Sequence, residues 1–138
     1  MPLRDIIKEK VHACSKETSV LDVADLMKKK DIGAVLVVED GRPIGIVTDR
    51  DIAVRCIADR VDFSIPVHRI MTATPVVIDE NKGLQDVIVL MKKHQVRRIP
   101  VVDPSGQAIG LISFGDVFGL IAKEMSDLSY DTPVIAAA

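Results

Sequence analysis

The chain contains its own sequence twice. Displaced by 64 residues, Ile6 falls on Ile70, Asp22 on Asp86, Val23 on Val87, and the run Leu26, Met27, Lys28, Lys29 on Leu90, Met91, Lys92, Lys93. Val37 and Val38 then meet Val101 and Val102. One extra residue in the second copy's turn makes the offset 65, after which Ile44 and Gly45 meet Ile109 and Gly110, and Asp51 meets Asp116. The repeat spans nearly all of the 138 residues, and self-similarity on that scale means two like structural units. A unit of roughly 60 residues makes a marginal core alone, so the two copies are expected to pack on each other. The expected division is 1–62 for the first repeat, 63–125 for the second and 126–138 for a C-terminal tail.

Each copy reads as β-α-β-β-α, an α/β (α+β) pattern. Short first strands are expected at 12–14 and 76–78. Val20, Val23, Ala24 and Met27 recur at helical spacing, as do Leu84, Val87, Ile88 and Met91. Ser19 with Asp22 resembles a capping box at the first helix start, and Lys28, Lys29 and Lys30 suit the dipole at its end. Strands follow at 34–38 and 44–47 around the turn Glu39-Asp40-Gly41-Arg42. The second copy places them at 99–102 and 108–112 around Asp103-Pro104-Ser105-Gly106. Pro100 cannot donate to a ladder, so its strand is an edge there or its nitrogen faces a site. A last helix starts near Asp51 or Asp116, with Cys56, Ile57, Ile121 and Ala122 as its apolar positions.

Composition removes several function classes. Aromatic residues are 3% and Trp is absent, which leaves few rings for stacking on single-stranded bases. A net charge of -2 argues against a general polyanion binder. No apolar run approaches the roughly 20 residues of a membrane span. The start Met1-Pro2-Leu3-Arg4-Asp5 lacks the apolar core of a signal peptide, so a cytoplasmic location is expected. Cys14 and Cys56 have no metal-type spacing and read as buried reduced thiols. His12, His68 and His94 are scattered, and no HExxH, Walker-type loop or nucleophile elbow occurs. No catalytic residue, metal ligand or obligatory cofactor is assigned.

The chemistry-bearing segment is itself duplicated. Gly45-Ile46-Val47-Thr48-Asp49-Arg50-Asp51 matches Gly110-Leu111-Ile112-Ser113-Phe114-Gly115-Asp116. Thr48 and Ser113 fall where a strand hands over to a helix, where unpaired backbone N–H groups and a hydroxyl can hold an anion. Asp51 and Asp116 follow by three residues, and a carboxylate has two acceptor oxygens suited to a ribose diol. The same pattern is also that of a plain helix cap. Its occurrence twice, in matching contexts, turns the balance towards a site.

With Asp31-Ile32-Gly33-Ala34-Val35-Leu36-Val37-Val38 and Gln95-Val96-Arg97-Arg98-Ile99-Pro100-Val101-Val102-Asp103 preceding these motifs, the chain resembles a tandem pair of CBS (cystathionine-β-synthase-type) domains, also called a Bateman module. Ile70-Met71-Thr72 before Pro75-Val76 is similar to the usual start of a second copy. The resemblance implies a pseudo-twofold pair whose cleft binds AMP, ADP, ATP, NAD or S-adenosylmethionine, and an energy-sensing or other regulatory role. It implies that Thr48 and Ser113 touch phosphate, and that Asp51 and Asp116 hold the ribose. Each cleft borrows from the other repeat. Ser113 and Asp116 are expected to share a site with Ile32, Gly33 and Ala34, and with Lys10 and His12. Thr48 and Asp51 are expected to share one with Val96, Arg97 and Arg98, and with Thr74 and Val76. Backbone groups at 32–34 and 96–98 would read the adenine edge. A homodimer formed through the repeat helices is implied as well.

The two clefts differ. Gly33-Ala34 leaves room beside a base, whereas Arg97-Arg98 adds bulk and charge, and Arg50 and Arg55 offer further phosphate partners. The Thr48 cleft is therefore expected to take the more phosphorylated ligand, with surface ion pairs as the alternative use of these arginines. The functional expectation is a stand-alone, non-catalytic regulatory module signalling to a separate, unknown partner. A protein–protein scaffold without a nucleotide is the alternative; a small nucleotide hydrolase lacks the necessary cluster. Lys28 to Lys30, Lys92 and Lys93 read as solvated helix faces. The tail carrying Tyr130 and the apolar residues from Val134 onward is open to covering a partner or fraying.

Overall fold

The computed structural model describes residues 1–7 and 11–131. The longest buried apolar runs of the chain, β2 (Ala34–Glu39) and β6 (Arg98–Val102), form the inner strands of two sheets. β2 lies between β1 (Ala13–Cys14), parallel to it, and β3 (Arg42–Thr48), antiparallel; β4 (Thr72–Ala73) extends that sheet beyond β3. β6 lies between β5 (Ile78–Asp79), parallel, and β7 (Ala108–Ser113), antiparallel. The β2–β3 and β6–β7 pairs each carry a register shift at the equivalent place, Val37/Val38 and Val101/Val102.

The expected helices form where the apolar spacing puts them, α2 (Val20–Lys30) and α4 (Leu84–His94). Ser19 accepts from the Asp22 N–H at 3.1 Å, half of the expected capping box. Val20, Val23 and Met27 pack with Val35, Val37 and Val47 in one core; Val87 and Met91 pack with Ile99, Val101 and Ile112 in the other. The final elements start slightly earlier than expected. α3 (Asp49–Ile52) passes into a π-helical turn, Ala53–Ile57, and α5 (Phe114–Asp131) runs on as one helix.

Several expectations give way to tertiary context. Only Cys56 of the expected apolar positions on the final helices is buried; Ile57 is 60% and Ile121 38% exposed, and Ala122 is also exposed. The first strand of the second copy is displaced to Ile78–Asp79, leaving Val76 and Val77 outside it, with Val77 exposed. Pro100 keeps the expected local edge, because β5 pairs with β6 only at Val101 and Val102 and leaves the strand without a neighbour on that side at Pro100.

The halves are tied together at both ends. A short helix not anticipated from the sequence, α1 (Leu3–Ile6), places the fully buried Leu3 in the second core, and the Leu3 and Arg4 N–H groups donate to the Lys82 and Glu80 carbonyls at 2.9 and 3.1 Å. Conversely, the segment holding the 3-10 turn Val67–Arg69 supplies Val67 and Ile70 to the first core. At the hairpin tips, the Ala108 N–H donates to the Gly41 carbonyl at 2.9 Å, and Gln107 Nε2 to the Asp40 carbonyl at 3.0 Å.

Candidate functional site

Both hydroxyl–carboxylate pairs are reciprocal caps. The Thr48 N–H donates to Asp51 Oδ2 at 2.9 Å, and the Asp51 N–H to Thr48 Oγ1 at 3.1 Å. The Ser113 N–H donates to Asp116 Oδ2 at 2.7 Å, and the Asp116 N–H to Ser113 Oγ at 3.1 Å. The capping alternative is thus realised in both repeats. It does not exhaust either group. Each hydroxyl only accepts in the cap, so its proton remains to donate, and each carboxylate keeps Oδ1. The cap fixes both side chains in place while one donor and one acceptor point elsewhere.

Ser113 and Asp116 line a cavity of about 270 Å³ built from both repeats. Its walls are Val11, His12, Ile32, Gly33 and Ala34 from the first, and Arg98, Leu111, Ser113 and Asp116 from the second. Leu111 and Asp116 also border a more apolar cavity of about 410 Å³, with Ile6, Ile7 and Leu120 among its walls. The expected grouping of Ser113 and Asp116 with Ile32, Gly33, Ala34 and His12 is present. Lys10 lies outside the described residues. Ile7 and Leu111 were not anticipated. A Cβ on Gly110 would stand 2.8 Å from Ile7, so the motif glycine is the signal for that close approach.

The CBS-domain family model matches the sequence twice, over residues 3–57 and 67–123. The chain belongs to the CBS-domain family. Among similar proteins, the CBS domain-containing protein YhcV of Bacillus subtilis (strain 168) is 36% identical over 127 residues, covering 92% of this chain and 88% of its own length. A putative signal-transduction protein with CBS domains from Burkholderia ambifaria MC40-6 superposes with a TM-score of 0.79 at 32% identity, covering 89% of this chain and 95% of that one. The fold is also that of the CBS domain protein PAE2072 from Pyrobaculum aerophilum, solved complexed with AMP (TM-score 0.78, 21% identity, 89% and 99% covered).

The other half of this CBS pair is arranged differently. Arg98, expected opposite Thr48, is the register partner of Ser113 and lines the Ser113 cavity. Val96 and Arg97 line a third cavity of about 720 Å³ against α4 and α5, where the Arg97 guanidinium stacks over the Phe114 ring at 4.9 Å. Aromatic stacking and the strand register, neither visible in the motif, decide both placements. Thr48, Arg50, Asp51, Thr74 and Val76 line none of these three cavities. Thr74 follows β4 in left-handed conformation, φ 51°, its N–H donating to the Ile44 carbonyl at 3.0 Å. Arg55 donates from Nη1 to the Ile70 carbonyl and Thr72 Oγ1, at 2.9 and 3.1 Å, and its Nη2 stands 3.5 Å from Asp51 Oδ1. The expected excess of available arginines beside Thr48 is therefore not found for Arg55 or Arg98.

Among the described residues, no group of three or more His, Cys, Asp or Glu is placed to hold a metal, and no helix is long and apolar enough to cross a membrane. Cys14 is half-buried and Cys56 buried, both as free thiols; burial pushes the Cys14 thiol up, against a smaller opposing hydrogen bond from Thr18.

Proposed function

We propose that this CBS pair is a non-catalytic regulatory module that binds a phosphate-bearing adenosine compound, AMP or ADP before the others, in the cleft of Ser113 and Asp116. The observation that carries this reading is the convergence of Arg98, Ser113 and Asp116 with Ile32, Gly33 and Ala34 around one cavity. The free Asp116 oxygen suits a ribose diol. The Ser113 hydroxyl, the start of the long helix α5 and the Arg98 guanidinium suit a phosphate. Backbone groups at 32–34 suit the adenine edge, and the adjoining apolar cavity gives the base room. The AMP complex of PAE2072 supports the reading at the level of the fold alone.

A ligand in this cleft touches both repeats, so it stabilises the arrangement of the two that fits it best. That becomes a signal when a second binding event prefers the same arrangement. We take that second event to be a separate protein partner in the cytoplasm, and the working form to be a homodimer. Support for the dimer comes from the exposed apolar residues Phe114, Phe118, Met125 and Leu128 along α5. The same face would serve a scaffold with no nucleotide, which is the second reading.

Calorimetric titration with AMP, ATP, NAD and S-adenosylmethionine separates them. Saturable AMP binding that disappears with Asp116→Ala supports the sensor. Absence of binding by all four leaves the scaffold.

A further inference from the structure

The geometry points to one adenosine site per chain, with Arg55 as the residue that holds the Thr48 side shut. This rests on the reading of the Ser113 cleft just given. The two caps are built alike, but the second oxygen of each carboxylate meets different surroundings. Asp51 Oδ1 faces Arg55 Nη2 at 3.5 Å, and the Asp51 side chain is left only 14% exposed. An ion pair near the surface is a weak restraint by itself. Here the guanidinium is also anchored, because Nη1 donates to the Ile70 carbonyl and to the hydroxyl of Thr72, the first residue of β4. A guanidinium fixed over the carboxylate occupies the acceptor that a ribose diol needs.

The offset of 65 places Leu120 where Arg55 stands, Gly119 where Val54 stands and Gly115 where Arg50 stands. Leucine has no donor to lay on a carboxylate, and the two glycines have no side chains. The locus beside Asp116 is accordingly open: Gly115, Asp116, Gly119 and Leu120 border the 410 Å³ cavity. A Cβ added at Gly119 would meet nothing within 4 Å. The copies thus diverge at three positions that border the cavity beside Asp116, and at one of them, Arg55, the first copy sets a cation on the carboxylate.

The test is calorimetric stoichiometry with AMP on the full chain, each variant checked by thermal melting. The unmodified protein takes one AMP per chain, and Asp116→Ala removes it. Arg55→Leu, which copies Leu120, raises the number to two, and Asp51→Ala added to Arg55→Leu returns it to one. Arg55→Gln keeps a donor for Ile70 without the charge and serves if the leucine variant does not fold; it too is expected to take two. Two AMP per chain in the unmodified protein overturns the inference while leaving the Ser113 reading intact. So does a folded Arg55→Leu or Arg55→Gln that stays at one. No AMP binding by the unmodified protein overturns the Ser113 reading itself, and the single-site assignment with it.

Discussion

Arg98 and Ser113 are register partners across β6 and β7, in the place that Ala34 and Thr48 hold in the first sheet. Directly opposed residues in an antiparallel pair stand about 5 Å apart at Cβ. One strand register therefore sets a permanent cation beside the hydroxyl at the start of α5, and only a methyl beside the hydroxyl at the start of α3. Charge in this pair is placed by the sheet.

The first prediction follows from that register. Arg98→Ala is expected to weaken AMP binding roughly ten- to hundredfold, the effect of losing about 1.5–3 kcal/mol from a hydrogen bond between charged groups. Adenosine, which has no phosphate, is expected to bind the variant as it binds the parent. Parallel titrations with the two ligands check this; an equal loss for both would place Arg98 on the nucleoside instead.

Leu3→Ala is expected to destabilise the protein by about 2–5 kcal/mol, as for other fully buried leucines. Its contacts lie in the core of Ile78, Val87 and Ile112, so the loss belongs to the second repeat although the residue stands at the start of the first. Urea unfolding of the variant measures it. A change below about 0.5 kcal/mol, the range of ordinary surface substitutions, would contradict the burial.

Phe118→Lys tests the proposed dimer. Phe118 is 63% exposed and its ring lies 5.1 Å from that of Phe114. A charge at the centre of an apolar contact is left unpaired and desolvated, so light scattering is expected to report a dimer for the parent and a monomer for the variant, with the melting curve little changed.

Asp103 gives a pH prediction. The Ser105 hydroxyl donates to its Oδ1 at 2.6 Å, and the Gln107 and Ser105 N–H groups at 3.0 and 2.9 Å. These bonds, the Ser105 hydroxyl first and the Gln107 N–H second, hold its carboxyl below the ordinary carboxylate value. A lowered folded-state pKa contributes stability that is present above the unfolded value of about 3.9 and is lost as pH falls through the lowered one. A carboxyl-detected NMR titration is expected to place Asp103 below the ordinary aspartate value, and Ser105→Ala to move it back up.

Much of this could be read before any coordinates. The offset that superposes Leu26-Met27-Lys28-Lys29 on Leu90-Met91-Lys92-Lys93 carries the twofold organisation, and the spacing of Val20, Val23 and Met27 carries a helix, because both are periodic signals. The meeting of Ile32, Gly33 and Ala34 with Ser113 and Asp116 was legible through the family pattern. What was not legible depends on partners distant in sequence. Leu3 is an apolar residue in a four-residue helix, too short to show a period, and its meaning comes from a core assembled from residues 78–117. Arg55 looks like a phosphate ligand until Ile70 and Thr72 are seen to hold it. Arg97 goes to Phe114 because a ring happens to face it.

The burial of Leu3 beside Val87, Ile112 and Val117 also sets an order of events. During synthesis the chain emerges from its N-terminus, so Leu3 is exposed long before the residues that cover it exist. The second core cannot close until nearly the whole chain has been made, and its closure joins positions more than a hundred residues apart. Contacts of such separation slow folding. The first repeat, whose core draws on nothing beyond Met71, is free to form earlier and to serve as the surface on which the second is completed.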